Sequence, residues 1–181
     1  MKKIITILLL FPVFANAAGK WDLTCYKDEL TEEIKISGAS PAAEVVINPG
    51  KPYDNMVTVL FMNILPDGNL QVGISASSIN LVGGEHRNVY DLIKFDTYNL
   101  QGKFSPSDKL ETYQVSHMQT SPNHLFFSAE KTYNLILNND SLLIDLPYYT
   151  GKGRFRYSWD KEDLANKISS LKKTCFTKWY L

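Results

Sequence analysis

From position 21 onward, apolar and polar residues alternate with a period of two over most of the chain, and Gly, Pro, Asn or Asp interrupts the alternation every eight to fifteen positions. That pattern predicts an all-β body. The runs that read as strands are 21–26, 33–37, 44–48, 56–64, 69–76, 88–95, 110–117, 124–128, 141–146 and 154–159. Residues from Met56 to Leu65 are apolar at odd and even positions alike, which predicts a central strand covered on both faces. In the next run Leu70, Val72, Ile74 and Ala76 alternate with Gln71, Gly73 and Ser75, so one face should be wet. Between the two, Leu65-Pro66-Asp67-Gly68-Asn69 predicts a hairpin turn, because proline presets φ and glycine accepts a positive one. Segments 37–41, 48–55, 80–85 and 101–109 are rich in Gly, Pro and polar residues and read as loops.

Two segments depart from the period of two. In 129–138, Tyr133, Leu135 and Leu137 fit a strand, whereas Ala129, Tyr133, Ile136 and Leu137 fit a helix with Ser128 as N-cap and Asn138-Asn139 as stop; both readings stand, and the helix is favoured. The last segment is helical: Asp160 can cap it, Glu162 and Asp163 load its first turn, Leu164, Ile168, Leu171 and Cys175 share one face, and Lys172 and Lys173 close it. The expected architecture is therefore mainly β, a single-domain antiparallel β-sandwich over residues 18–181 with a C-terminal amphipathic helix packed on it.

The N-terminus changes the picture. Lys2 and Lys3 precede an apolar run from Ile4 to Phe14, followed by Ala15-Asn16-Ala17, which predicts a secretory signal peptide over residues 1–17. The apolar run is far shorter than the roughly 20 residues that span a bilayer, so no transmembrane span is expected after cleavage. The whole chain carries 19 basic and 19 acidic residues; without Lys2 and Lys3 the balance is 17 against 19, which supplies no field for nucleic acid. An exported, periplasmic location follows. In that setting the two cysteines, Cys25 and Cys175, are expected to form a disulfide. No activating neighbour for a thiolate stands beside either.

Candidate chemistry is sparse. His86, His117 and His124 form no metal-binding spacing, and no metal or other cofactor is expected. Gly73-Ile74-Ser75-Ala76-Ser77 imitates a nucleophile elbow but carries serine in place of the second glycine. No catalytic residues are assigned, and an enzyme is not expected. The distinctive stretch is Tyr148-Tyr149-Thr150-Gly151-Lys152-Gly153-Arg154-Phe155-Arg156-Tyr157-Ser158-Trp159, which holds two of the three arginines. A period of two places Phe155, Tyr157 and Trp159 on one face and Arg154, Arg156 and Ser158 on the other. Tyr148, Tyr149, Lys152, Arg154 and Arg156 are accordingly the candidate protein-binding residues, since Tyr and Arg dominate binding hot spots. Two adjacent guanidinium forks would suit a partner with an acidic surface.

The C-terminal third carries a resemblance. Leu125-Phe126-Phe127, then Leu142-Leu143-Ile144-Asp145-Leu146-Pro147, Phe155 within a strand, and Leu164, Ile168 and Leu171 leading into Cys175 resemble exported proteins of the invasion-associated locus B kind and the VasI family associated with type VI secretion. Lys94-Phe95-Asp96 and the early Trp21 extend the likeness over most of the exported chain. The resemblance implies a β-sandwich with a covering C-terminal helix and no enzyme mechanism. The expected function is a non-catalytic periplasmic binding or assembly accessory of the cell envelope or a secretion apparatus. The alternative is an inhibitor or immunity-type protein that binds an envelope-targeted hydrolase.

Overall fold

The computed structural model describes residues 19–27, 32–78, 81–89, 93–107, 109–118 and 123–178. The expected signal peptide lies outside these residues. Among the described residues, eleven strands and two helices follow one another as β1 (Asp22–Lys27), β2 (Ile34–Ala39), β3 (Glu44–Ile47), β4 (Thr58–Ile64), β5 (Leu70–Ala76), β6 (Glu85–Val89), β7 (Ile93–Ser105), β8 (Glu111–Met118), β9 (His124–Phe127), α1 (Ala129–Asn138), β10 (Ser141–Tyr148), β11 (Gly151–Ser158) and α2 (Lys161–Lys178). The strands form one antiparallel sheet in the order β1-β2-β4-β5-β9-β8-β7-β10-β11-β3, with β6 paired on β7. The mainly-β reading with a C-terminal helix holds; the expected two-layered sandwich does not. The sheet instead curls into a half-barrel. Its two flanks are bridged by a single stretch of chain: β2 pairs β4, the Ser40 and Ala43 amides bond the Leu60 and Thr58 carbonyls, and β3 then pairs β11.

Strand alternation explains what the curl encloses. Along β4, Thr58, Leu60, Met62 and Ile64 are buried while Val59, Phe61 and Asn63 are only partly so. Along β11, Phe155 and Tyr157 point inward, followed by Trp159, all three almost without exposure. Polar links cross this interior: the Tyr157 hydroxyl donates to Thr58 Oγ1 at 3.0 Å, the Tyr148 hydroxyl reaches Met56 Sδ at 3.2 Å, and Trp159 Nε1 donates to the Ile136 carbonyl at 3.0 Å. Tyr148, Tyr157 and Trp159 thus keep partners for their polar atoms while contributing large apolar area, whereas buried Trp21 Nε1 has none among the described residues.

The hairpin between β4 and β5 is as expected. Gly68 has φ +87°, the Asp67 carboxylate accepts from the Asn69 amide at 2.9 Å, and the Leu65 amide bonds the Asn69 carbonyl at 2.9 Å. Residues 129–138 are helical; Thr132 and Ile136 face the core, and the Asn138 and Asn139 side chains bond the Asn134 and Leu135 carbonyls, closing the last turn. Asp160 caps α2 by accepting from the Glu162 and Asp163 amides, both at 3.0 Å. Leu164, Ile168 and Cys175 are buried on that helix, with Leu171 partly so. Cys175 is bonded to Cys25 of β1, with Cα atoms 5.8 Å apart.

Two expectations about strands need correction. The single strand expected over 88–95 is divided between two antiparallel strands, β6 and β7, with Val89 opposite Ile93. The loop expected at 101–109 is, as far as Ser105, a continuation of β7. Tyr98, Leu100 and Phe104 are buried at a period of two, but Gly102 interrupts the apolar series. That glycine has a packing reason: a Cβ there would lie 2.9 Å from the Leu143 carbonyl and 3.2 Å from Ile144, where β10 crosses close.

Candidate functional site

The distinctive tyrosine- and arginine-bearing stretch forms β11 and the tip that joins it to β10. The structure separates its five candidate residues. Tyr149 is exposed (72%) and Lys152 is exposed, both at the tip. Tyr148 is buried, its ring 4.6 Å from that of Tyr53, so it props the tip from beneath and is not available to a partner. Burial, reinforced by Tyr157 and Tyr53, raises its pKa above the ordinary tyrosine range, which suits an internal hydroxyl.

Each arginine meets the carboxylate opposite it in the ladder. Arg154 pairs with Asp145 in register and donates from Nε at 2.6 Å and from Nη2 at 2.9 Å, a bidentate fork on a carboxylate that is mostly buried. This hydrogen bond and the Asp145 charge hold the guanidinium pKa above its usual value. Arg156 pairs with Glu44 of β3 at 3.0 Å, again in register, with both side chains exposed. The expected pair of free guanidinium forks is therefore corrected to two cross-strand ion pairs. Opposite charges facing each other across a ladder are the ordinary way to stabilise a sheet face, and they remove the reason to expect an acidic partner. A shallow depression of about 320 Å³ lies beside Arg154 and Asp145, between Lys103, Leu110 and Leu143.

Arg156 leads to a feature that the sequence reading did not single out. β3 ends the strand order, and all four of its residues are exposed. Val45, Val46 and Ile47 show 42%, 40% and 41% of their surface on a strand that pairs only with β11 among the described residues. The tip stands next to its end, where the Thr150 hydroxyl donates to the Pro49 carbonyl. Three successive β-branched residues are good strand formers, yet here they face solvent on both sides of an edge. The strand was legible; its place at the edge was not, because edge or centre is a property of partners distant in sequence. A short edge between Pro41 and Pro49 is protected against runaway pairing, but it still offers a template of backbone N–H and C=O groups to one added strand.

The remaining chemistry-bearing residues are dispersed. His86, His117 and His124 lie on β6, β8 and β9, and among the described residues no group of His, Cys, Asp or Glu is arranged to hold a metal ion. Ser75 of the elbow-like pentapeptide pairs in register with His124 on the outer face of the sheet, within the continuous strand β5 rather than at a strand-to-helix turn. No described helix is long and apolar enough to cross a membrane. Comparison with known proteins finds no matching family model, no matching curated protein and no matching solved structure.

Proposed function

We propose that this chain is a non-catalytic binding protein of an exported compartment, most simply a periplasmic accessory of the cell envelope or of a secretion apparatus, and that it engages its partner through β3 and the adjoining β10–β11 tip. The observation that carries the reading is the exposed, apolar edge of β3, flanked by the Arg156–Glu44 pair and by Tyr149. Backbone groups on such an edge supply affinity to an extended partner segment, while Val45, Val46 and Ile47 and the tyrosine ring supply apolar contact. The partner chemistry that fits is an extended segment with its own apolar side chains, held at its rim by charge pairs rather than by a cationic patch. The Cys25–Cys175 bond suits an oxidising compartment. The likeness of the C-terminal third to exported envelope proteins supports the same setting.

Affinity capture from periplasm with the wild-type chain and with Val46→Lys, followed by direct titration of the purified component, tests this. A component retained by the wild type and bound at least about tenfold more weakly by Val46→Lys, an exposed change that leaves the fold intact, supports the reading. Equal binding by both sinks it. Suppression of a captured hydrolase would make the protein an inhibitor acting through the same edge.

A further inference from the structure

The outer face of β2, β4, β5 and β9 carries three lateral rows of side chains, each set by the ladder register. Ser37, Asn63 and Gln71 form one row, Phe61, Gly73 and Phe126 the next, and Val59, Ser75 and His124 the third. Rows two residues apart are about 7 Å from one another along the strands. In the first row the Ser37 hydroxyl donates to Asn63 Oδ1 at 2.7 Å, and Asn63 Nδ2 donates to Gln71 Oε1 at 3.0 Å. The chain of bonds runs one way and ends at Gln71, whose Nε2 donors make no hydrogen bond among the described residues. In the second row Gly73 has no side chain, so the Phe61 ring lies across β5; a Cβ on Gly73 would meet that ring at 2.6 Å. Phe61 then stands edge-on to the two outward rings of β9, 5.1 Å from His124 and 5.5 Å from Phe126, and those two stack at an interplanar angle of 27°. The rows line a depression of about 330 Å³ with no Lys, Arg, Asp or Glu among the described residues that line it.

Among the described residues, no element packs over this face. The expectation that both faces of β4 are covered is corrected here: Phe61 and Val59 are half-buried on an open surface. The volume is at the lower end of the about 300–1,000 Å³ usual for ligand sites. All four strands are paired on both sides, so the backbone has no free edge here and recognition falls to side chains alone. Clustered aromatic rings flanked by neutral amides and hydroxyls fit a ligand that presents C–H faces and hydroxyls in alternation without charge. Among the described lining residues a charged ligand would find no Lys, Arg, Asp or Glu as counter-ion, and a peptide strand would find no ladder.

We propose that this face is a binding site for a neutral oligosaccharide, which packs its ring faces on Phe61, Phe126 and His124 and bonds its hydroxyls to Gln71, Asn63 and Ser75. The site lies apart from the β3 edge and stands whether or not that edge binds a partner. Saturation-transfer NMR and calorimetry on the intact disulfide-bonded chain, with chitotetraose and maltotetraose as neutral probes and tetragalacturonate as the acidic one, test it. The expected result is saturation transfer to the ring C–H groups of a neutral probe, with affinity unchanged by added salt because no charge takes part. Phe126→Ala and the change Gln71→Ala at an exposed residue should each weaken binding about tenfold, and Val46→Lys should leave it unchanged. The proposal is overturned if neither neutral probe receives saturation, if only tetragalacturonate binds, or if both Phe126→Ala and Gln71→Ala bind as the wild type does.

Discussion

The two ends of the strand order are treated in opposite ways. At one end β1 is bonded through Cys25 to α2, the Lys167 ammonium donates to the Trp21 carbonyl at 2.8 Å, and Lys20 meets Asp163 at 3.3 Å. At the other end β3 pairs with β11 and shows its remaining edge and side chains to solvent. A sheet edge is a liability unless covered, twisted or charged. This chain ties one outer strand down with a packed helix and a covalent bond, and it leaves the other short. The difference teaches that reinforcement has gone where the first described strand meets the last described helix, while the edge at β3 carries no such tie among the described residues.

The largest effect that would break this comparison is on the bond. Replacing Cys25 and Cys175 by Ser should lower stability by roughly 3–5 kcal/mol, since the bond closes a loop of 150 residues. Val46→Lys at the bare end should stay within about 0.5 kcal/mol. Urea unfolding of both variants checks the contrast, and equal losses would mean that β3 is as structural as β1.

An intermediate effect concerns the buried tyrosines of the interior that both ends share. Burial raises the pKa of Tyr157 and Tyr148, and burial together with the Glu111 charge pushes Tyr113 up to about 12. Groups that hold their protons longer folded than unfolded contribute full stability below the unfolded value near 10, and that contribution is lost as pH rises beyond it. Stability should therefore be flat from neutral pH to about pH 10 and then fall, by about 1 kcal/mol per buried tyrosine one unit higher. Tyr157→Phe should flatten this alkaline fall, which urea midpoints on either side of pH 10 would show.

The smallest effect separates the two ion pairs of β11. Arg154→Ala leaves the mostly buried Asp145 carboxylate without its fork and should cost about 1 kcal/mol, whereas Arg156→Ala at the exposed Glu44 pair should cost a few tenths. Thermal unfolding at low and high salt distinguishes them, because only the exposed pair is well screened.

Local pattern alone determined much of this protein. The period of two placed Phe155, Tyr157 and Trp159 inward, proline and glycine marked the turn at Leu65–Asn69, and Asp160 with its acidic first turn located the start of α2. These features depend on neighbours a few residues apart, so periodicity, turn chemistry and capping report them directly. The Cys25–Cys175 pairing was legible too, since a chain with two cysteines allows one intramolecular bond. The tertiary structure alone decided what lies opposite what. It brought Asp145 and Glu44 to the two arginines, turned Tyr148 inward, carried β7 past Gly102, set β3 at an edge, and left Phe61 and Phe126 on an open face. Each of these depends on the register and curl of strands far apart in sequence. An apolar residue on a strand reads the same whether its face meets a core, a ligand or water, and only the partner strands and the curvature of the sheet choose among them.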